Sequence, residues 1–183
     1  MILPICVYGH PVLRRKAQDV DLKAEDLLQL IADMFETMYH SNGVGIAAPQ
    51  VGKSLRIFVI DSEPFKELYP EEEPRKQAFI NPTILQRYGE EVPFSEGCLS
   101  LPGINEEVLR PSTIEIEYWD EKLNHHKETI SGGVARIIQH EYDHLEGTVF
   151  TDHLTSLKKM ILKRKLSDIA SGKTKPSYKI KNH

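Results

Sequence analysis

The sequence is poor in cysteine: Cys6 and Cys98 are the only two in 183 residues. Two cysteines make no disulfide framework and point to a reduced setting, where a thiol either packs or binds something. Long apolar runs are also missing. No stretch approaches the roughly 20 residues a membrane helix needs. The start, Met1-Ile2-Leu3-Pro4-Ile5-Cys6-Val7, has neither the basic flank nor the cleavage site of a signal peptide. The expectation is a cytoplasmic protein with no membrane or DNA partner. No internal repeat is apparent, and the length suits one compact domain with a real core.

Charge is uneven. Residues 156–183 carry eight lysines and Arg164 against Asp168, a net of +8, while the whole chain is at −4; residues 1–155 therefore carry −12. Ser156 to Ile169 reads as a basic amphipathic helix with Leu157, Ile161, Leu162 and Leu166 on its apolar face. Residues 1–170 are expected to form the domain, and 171–183 a basic, mobile C-terminal tail. Upstream, Asp26 to Tyr39 reads as an amphipathic helix with Leu27, Leu30, Ile31, Met34, Phe35 and Met38 on one stripe. Leu55 to Asp61, Ala78 to Asn81 and Thr113 to Trp119 read as strands, the last alternating Ile114, Ile116 and Tyr118. Glu63 to Arg75, with three prolines and Glu71-Glu72-Glu73, reads as a solvated surface loop. The class is α+β.

The chemistry is concentrated in Gln139-His140-Glu141-Tyr142-Asp143-His144-Leu145-Glu146-Gly147, which contains H-E-x-x-H. Val134, Ile137, Ile138 and Leu145 recur at helical spacing, Ser131 suits an N-cap, and Gly147 suits a helix stop. On a helix, His140 and His144 share one face and can hold a single divalent metal, with Glu141 beside it as general base. The reaction class is then attack of water on a carbonyl. Metallopeptidases with this helix take their third ligand downstream, but the histidine position of the extended motif is Phe150, and the usual later glutamate position offers only Asp168. Cys98, in the Gly- and Pro-bounded stretch Glu96-Gly97-Cys98-Leu99-Ser100-Leu101-Pro102-Gly103, is the better candidate. A thiolate with two imidazoles leaves a fourth position for water.

A third block, Gly43-Val44-Gly45-Ile46-Ala47-Ala48-Pro49-Gln50-Val51-Gly52, matches the dinucleotide pattern G-x-G-x-x-A only superficially. A helix precedes it and Pro49 interrupts any helix after it, the reverse of the strand–turn–helix that pattern requires. What remains is an exposed glycine-rich stretch suited to pairing with an extended ligand, with the Gln50 amide as a donor.

The blocks at 43–52, 96–103 and 139–147, in that order, resemble the three signature blocks of peptide deformylases, and the likeness covers roughly residues 1–170. The resemblance implies small antiparallel β-sheets packed around a central metal-binding helix, with a C-terminal helix. It implies removal of the formyl group from the initiator methionine of nascent polypeptides, with release of formate. Carried over residue by residue, it makes Cys98, His140 and His144 the metal ligands and Glu141 the general base and acid. Gln50 and the Leu99 N–H would stabilise the oxyanion. Fe²⁺ is the native metal that the family implies, and the donor types also suit Zn²⁺, Ni²⁺ or Co²⁺.

The formyl-methionyl peptide is expected to lie along Gly43, Val44, Gly45 and Ile46 as an added strand. Ile137, one turn before His140, would line its methionine pocket. Arg136 is expected to pack its stem and turn its head to solvent, while Glu96 and Arg110 would brace the Cys98 loop. The chain departs from the family pattern just after Cys98, where Gly103-Ile104-Asn105-Glu106-Glu107 carries acids and no arginine. The basic C-terminal segment would contact ribosomal RNA near the emerging chain. The competing readings are a zinc metallopeptidase and a non-catalytic metal-binding module; the latter would require four protein ligands.

Overall fold

The computed structural model describes residues 1–183. In chain order the regular elements are β1 (Ile5–Cys6), α1 (Leu27–His40), β2 (Gly45–Ala47), β3 (Ile57–Asp61), β4 (Lys76–Cys98), β5 (Leu101–Trp119), β6 (His125–Ser131), α2 (Gly132–Leu145), α3 (Ser156–Ala170) and β7 (Ile180–Lys181). β2 to β6 form one antiparallel sheet in sequential order, and β1 and β7 pair separately, in parallel.

The apolar run of β3 has a direct physical cause: both of its faces are covered. Side chains alternate across a strand. Ile57 and Val59 therefore meet Leu27, Ile31, Met34 and Met38 of α1. Phe58 and Ile60 meet Val134, Ala135, Ile137, Ile138 and Leu145 of α2, together with Ile114, Ile116 and Tyr118 of β5. α2 is thus enclosed almost end to end. The α+β architecture around a central helix is as the resemblance implied, and the three expected strands lie on β3, β4 and β5.

Several expectations change. β4 and β5 run far beyond the predicted segments as a long bent hairpin, with register shifts near Ile80, Ile84, Tyr88 and Gly97. Bulges bend and twist a strand, so one strand serves the core at one end and reaches Cys98 at the other. Its middle, Gln86–Glu91, is exposed on both faces and carries no alternating pattern to read. In α3 the buried stripe is Leu162, Leu166 and Ile169, packed on Val7, Leu101, Val149 and Phe150. Leu157 and Ile161, expected on that face, are exposed instead; the stripe starts one turn later.

The expected free tail also returns to the body. Ile5 N donates to Lys179 O at 2.9 Å, and Val7 N to Lys181 O at 3.1 Å. The unpaired edge of β1 supplies backbone partners that no composition signal reveals.

The 63–75 loop is more than a solvated connection. The Glu72 carboxylate accepts from the backbone N–H groups of Gly133 and Val134, at 2.8 and 3.3 Å. It thereby takes over the capping expected of Ser131, whose side chain makes no cap bond. An anion at a helix N-terminus satisfies orphan donors and complements the dipole. At the loop's end, Arg75 grips Glu128 of β6 with two bonds of 2.8 Å.

Candidate active site

Cys98 ends β4, and His140 and His144 project one turn apart from α2. Their ligand atoms all lie within 4.8 Å of one another. Cys98 Sγ is 3.3 Å from His144 Nε2, and the two imidazoles are 5.4 Å apart, centre to centre. Burial opposes ionisation of the Cys98 thiol, but the charges and hydrogen bonds of His144 and His140 outweigh it and bring its pKa down to about 5. A thiolate among imidazoles at this spacing is a soft donor set. Two buried polar atoms beside it, Glu141 Oε2 and His144 Nδ1, have no hydrogen-bond partner within the protein. Buried polar atoms are rarely left so; His144 turns Nε2 and not Nδ1 towards Cys98, and the thiolate, the two imidazoles and the unpartnered Glu141 oxygen beside them fit a divalent cation.

His140 is oriented from behind. Its Nδ1 lies 2.8 Å from Glu96 Oε1, an Nδ1–H donation that leaves the Nε2 lone pair for a metal. The same Glu96 receives Arg110 through bonds of 2.7 and 3.0 Å, the pairing expected from the sequence. Arg110 continues to Asp143 at 2.9 Å, and Asp143 to His153 at 2.7 Å.

Arg136 departs from expectation. Its head is buried, donating to Glu96 Oε2 at 2.8 Å and to the carbonyls of Val108 (3.0 Å) and Val92. A buried guanidinium needs partners for its donors, and here a carboxylate and two strand carbonyls accept three of the five. Glu96 and Asp143 thus balance Arg110 and Arg136 through direct contacts. Such carboxylate–histidine contacts fix ring orientation and raise ligand basicity.

Glu141 follows His140 on α2 and is almost fully buried. Burial pushes its pKa up to about 7, with the Cys98 and Glu96 charges adding and the two histidines opposing. Gly45 passes so close that a Cβ there would lie 2.6 Å from Glu141 Oε1. Only glycine lets β2 approach the carboxylate.

Gln50 is locked rather than exposed. Its Oε1 accepts from Ala47 N at 2.8 Å, and its Nε2 donates to Ser100 Oγ at 3.1 Å, 3.5 Å from Cys98 Sγ. All of Gly45–Val51 is buried, so the glycine-rich stretch is a packed wall, followed by a 3-10 turn at Ala48–Val51. Leu99 occupies the hairpin tip. Its carbonyl accepts from Tyr178 at 2.7 Å, and its N–H has no partner within the chain.

These groups border a cleft of about 660 Å³. Gly43, Val44, Gly45 and Ile137 line it, while the Ile46 side chain is buried in the α1 side of the core and only its backbone faces the strand edge. β2 is the outer strand of its sheet, paired only with β3. Phe65, Arg136, Ser100 and Tyr178 were missed as contributors. Phe65 lines the cleft against Phe94, at 5.4 Å between rings, and its only signal was an aromatic in a Pro- and Glu-rich loop that also carries Leu68 and Tyr69. Tyr178 carried a similar signal, as an aromatic in a basic stretch. No helix is long and apolar enough to cross a membrane.

Comparison with known proteins agrees with this geometry. The model of the polypeptide deformylase family matches residues 2–160. A peptide deformylase from Christiangramia forsetii is 50% identical over 188 aligned residues, covering 99% of this chain and 96% of that protein. A crystal structure of a peptide deformylase from Legionella pneumophila superposes with a TM-score of 0.81 at 37% identity, covering 96% of this chain and 100% of the other. The peptide deformylase structure from Thermus thermophilus also gives 0.81, at 40% identity, covering 92% and 98%. On these matches the chain belongs to the polypeptide deformylase family, enzymes that remove the formyl group from nascent polypeptides.

Proposed function

We propose that this chain hydrolyses the N-formyl group of N-formylmethionyl peptides with Glu141 as general base and acid, Gln50 and the Leu99 N–H as oxyanion donors, and Cys98, His140 and His144 as ligands of one divalent metal. Fe²⁺ is the native metal in this reading, with Zn²⁺, Ni²⁺ and Co²⁺ as ions the same donors accept. The observation that carries it is the buried Glu141 carboxylate, unpartnered on one oxygen and held at a pKa of about 7 beside the Cys98–His140–His144 cluster.

When bound, the cation supplies Lewis-acid polarisation of the formyl oxygen and of the attacking water. Glu141 removes a proton from that water as its oxygen bonds to the formyl carbon. Negative charge gathers on the former carbonyl oxygen, where the Gln50 amide and the unpaired Leu99 N–H donate; one such donor can be worth about 2.7–4 kcal/mol in the transition state. Glu141 returns its proton to the amine nitrogen as the C–N bond breaks, and formate and a free N-terminus leave. Burial, which raises the pKa of this carboxylate, suits it to hold the proton between the two transfers.

The peptide backbone would extend along Gly43–Ile46, which leads into the open edge of β2, as strand addition requires, and Ile137 would contact the methionine side chain. Cytoplasmic localisation agrees with the free state of both cysteines. A ribosomal contact through α3 is the finer partner reading: Lys159 and Lys163 border a groove beside exposed Met160. Sedimentation with ribosomes at low salt tests it, and equal binding by the double variant Lys159→Glu/Lys163→Glu would end it.

The central test is formate release from formyl-Met-Ala-Ser by protein loaded with Fe²⁺ without oxygen, beside Glu141→Ala. Release by the parent and its loss in a variant that keeps its metal is the expected result. Cleavage of unformylated peptides without formate would overturn the assignment in favour of a peptidase.

A further inference from the structure

The segment after α3 makes a contact with the hairpin tip that the reaction scheme leaves unused. It runs back across the cleft, where Thr174, Lys175, Pro176 and Tyr178 contribute to the wall. β7 then pairs with β1, placing Ile5 opposite Ile180 and Cys6 opposite Lys181. Asn182 Nδ2 donates to Ile169 O at 2.8 Å, tying the segment to the end of α3. Tyr178 therefore hangs between anchored points, its ring half-buried among the residues packed on the α1 side of the core. All of these residues except those of β1 lie beyond the 2–160 span matched by the family model.

The hairpin tip is held unequally. Ser100 is fixed on three sides: Gln50 Nε2 reaches its Oγ, its Oγ donates to Cys6 O at 2.7 Å, and Tyr8 N donates to its carbonyl at 2.8 Å. Leu99 has one backbone tie, the 2.7 Å bond its carbonyl accepts from the Tyr178 hydroxyl. The Leu99 N–H lies in the peptide plane it shares with Cys98 and the Leu99 carbonyl in the plane it shares with Ser100, and the two planes hinge at the Leu99 Cα through φ and ψ. With Cys98 paired to Leu101 on one side and Ser100 held on the other, fixing the Leu99 carbonyl fixes that hinge and narrows the range through which the N–H can turn. An oxyanion donor acts only within a narrow range of distance and direction.

We propose that Tyr178 is a positioning residue for deformylation: its hydroxyl sets Leu99, and the C-terminal strap is thereby part of the active site. The inference rests on the oxyanion role proposed for the Leu99 N–H. It assigns Tyr178 no contact with the reacting atoms.

The test is Tyr178→Phe in the full-length, metal-loaded enzyme, which keeps the ring and removes the hydroxyl, with exposed Ser177→Ala as a neighbouring control. Formyl-Met-Ala-Ser turnover, thermal midpoint, metal content and the ¹⁵N-resolved Leu99 amide resonance are followed together. Expected are a kcat lower by about five- to tenfold, the reach of one hydrogen bond, and a KM within about twofold of the parent. The Leu99 resonance should shift, while midpoint and metal content stay at the parent's values.

Unchanged kcat with an unmoved Leu99 resonance would overturn the proposal. So would a loss of kcat matched by a falling midpoint, which would make Tyr178 a packing residue only. A parent protein that releases no formate at all would instead sink the deformylase assignment, and the Leu99 resonance in the variant would still decide whether Tyr178 sets that backbone.

Discussion

Replacing Glu96 by alanine should be among the most damaging single changes outside the metal ligands. Glu96 is about 5% exposed, as are Arg110 and Arg136, the two guanidinium groups it holds. It also carries His140. Removing one partner of a buried ion pair leaves an uncompensated charge and costs about 3–5 kcal/mol. For a chain of this size each kcal/mol moves the thermal midpoint by about 2–4 °C, so a fall of about 6–20 °C is expected. Urea unfolding of metal-loaded and chelator-treated protein provides the assay, and the loss should persist without metal because it originates in the arginines.

The double variant Glu96→Ala/Arg110→Met should lose less than the sum of its singles, since each single strands a charge that the double removes. Acid should act in the same direction. Burial opposes ionisation of Glu96, but the hydrogen bonds and charges of His140 and Arg110 hold its pKa well below the ordinary 4.5. A depressed carboxylate pKa stabilises fully above its unfolded value, and the contribution drains away as pH falls below about 4.5. The parent should therefore lose more stability than Glu96→Ala between about pH 4.5 and 2. A single variant within about 1 kcal/mol of the parent, with the same acid sensitivity, would refute the view of Glu96 as the hub of this network.

Two further predictions follow from close contacts. Glu72→Ala removes the carboxylate that caps α2 through Gly133 and Val134; a loss of about 1–2 kcal/mol in urea unfolding is expected, and Glu71→Ala serves as the control that should change little. Gly45→Ala places a methyl 2.6 Å from Glu141 Oε1, so kcat should fall at least about tenfold, with secondary structure preserved by circular dichroism; undiminished turnover would mean that Glu141 has room to move.

The site's chemistry was readable in the chain because it is local. H-E-x-x-H needs only the helical repeat to put His140 and His144 on one face, and a single apolar period marks α2. The amphipathic stripe of α1 and the run Ile57–Ile60 were legible for the same reason: burial writes a period into neighbouring residues. Cys98 could be nominated because the downstream positions lacked a ligand, yet its place 3.3 Å from His144 depends on a hairpin far upstream of α2.

Only the tertiary structure could decide the partners of charged groups. Arg136 alone reads as a solvent-facing cation, and becomes a buried brace because β4 and β5 deliver Glu96 and two carbonyls to it. Glu72 reads as one acid in a solvated run until the N-terminus of α2 arrives beside it. Tyr178 and the basic segment around it carry no period at all; the open edge of β1 and the Leu99 carbonyl give them their place. A helix or strand is set by residues a few positions apart, whereas a buried charge or a borrowed hydroxyl is satisfied by whatever the fold brings within about 3 Å.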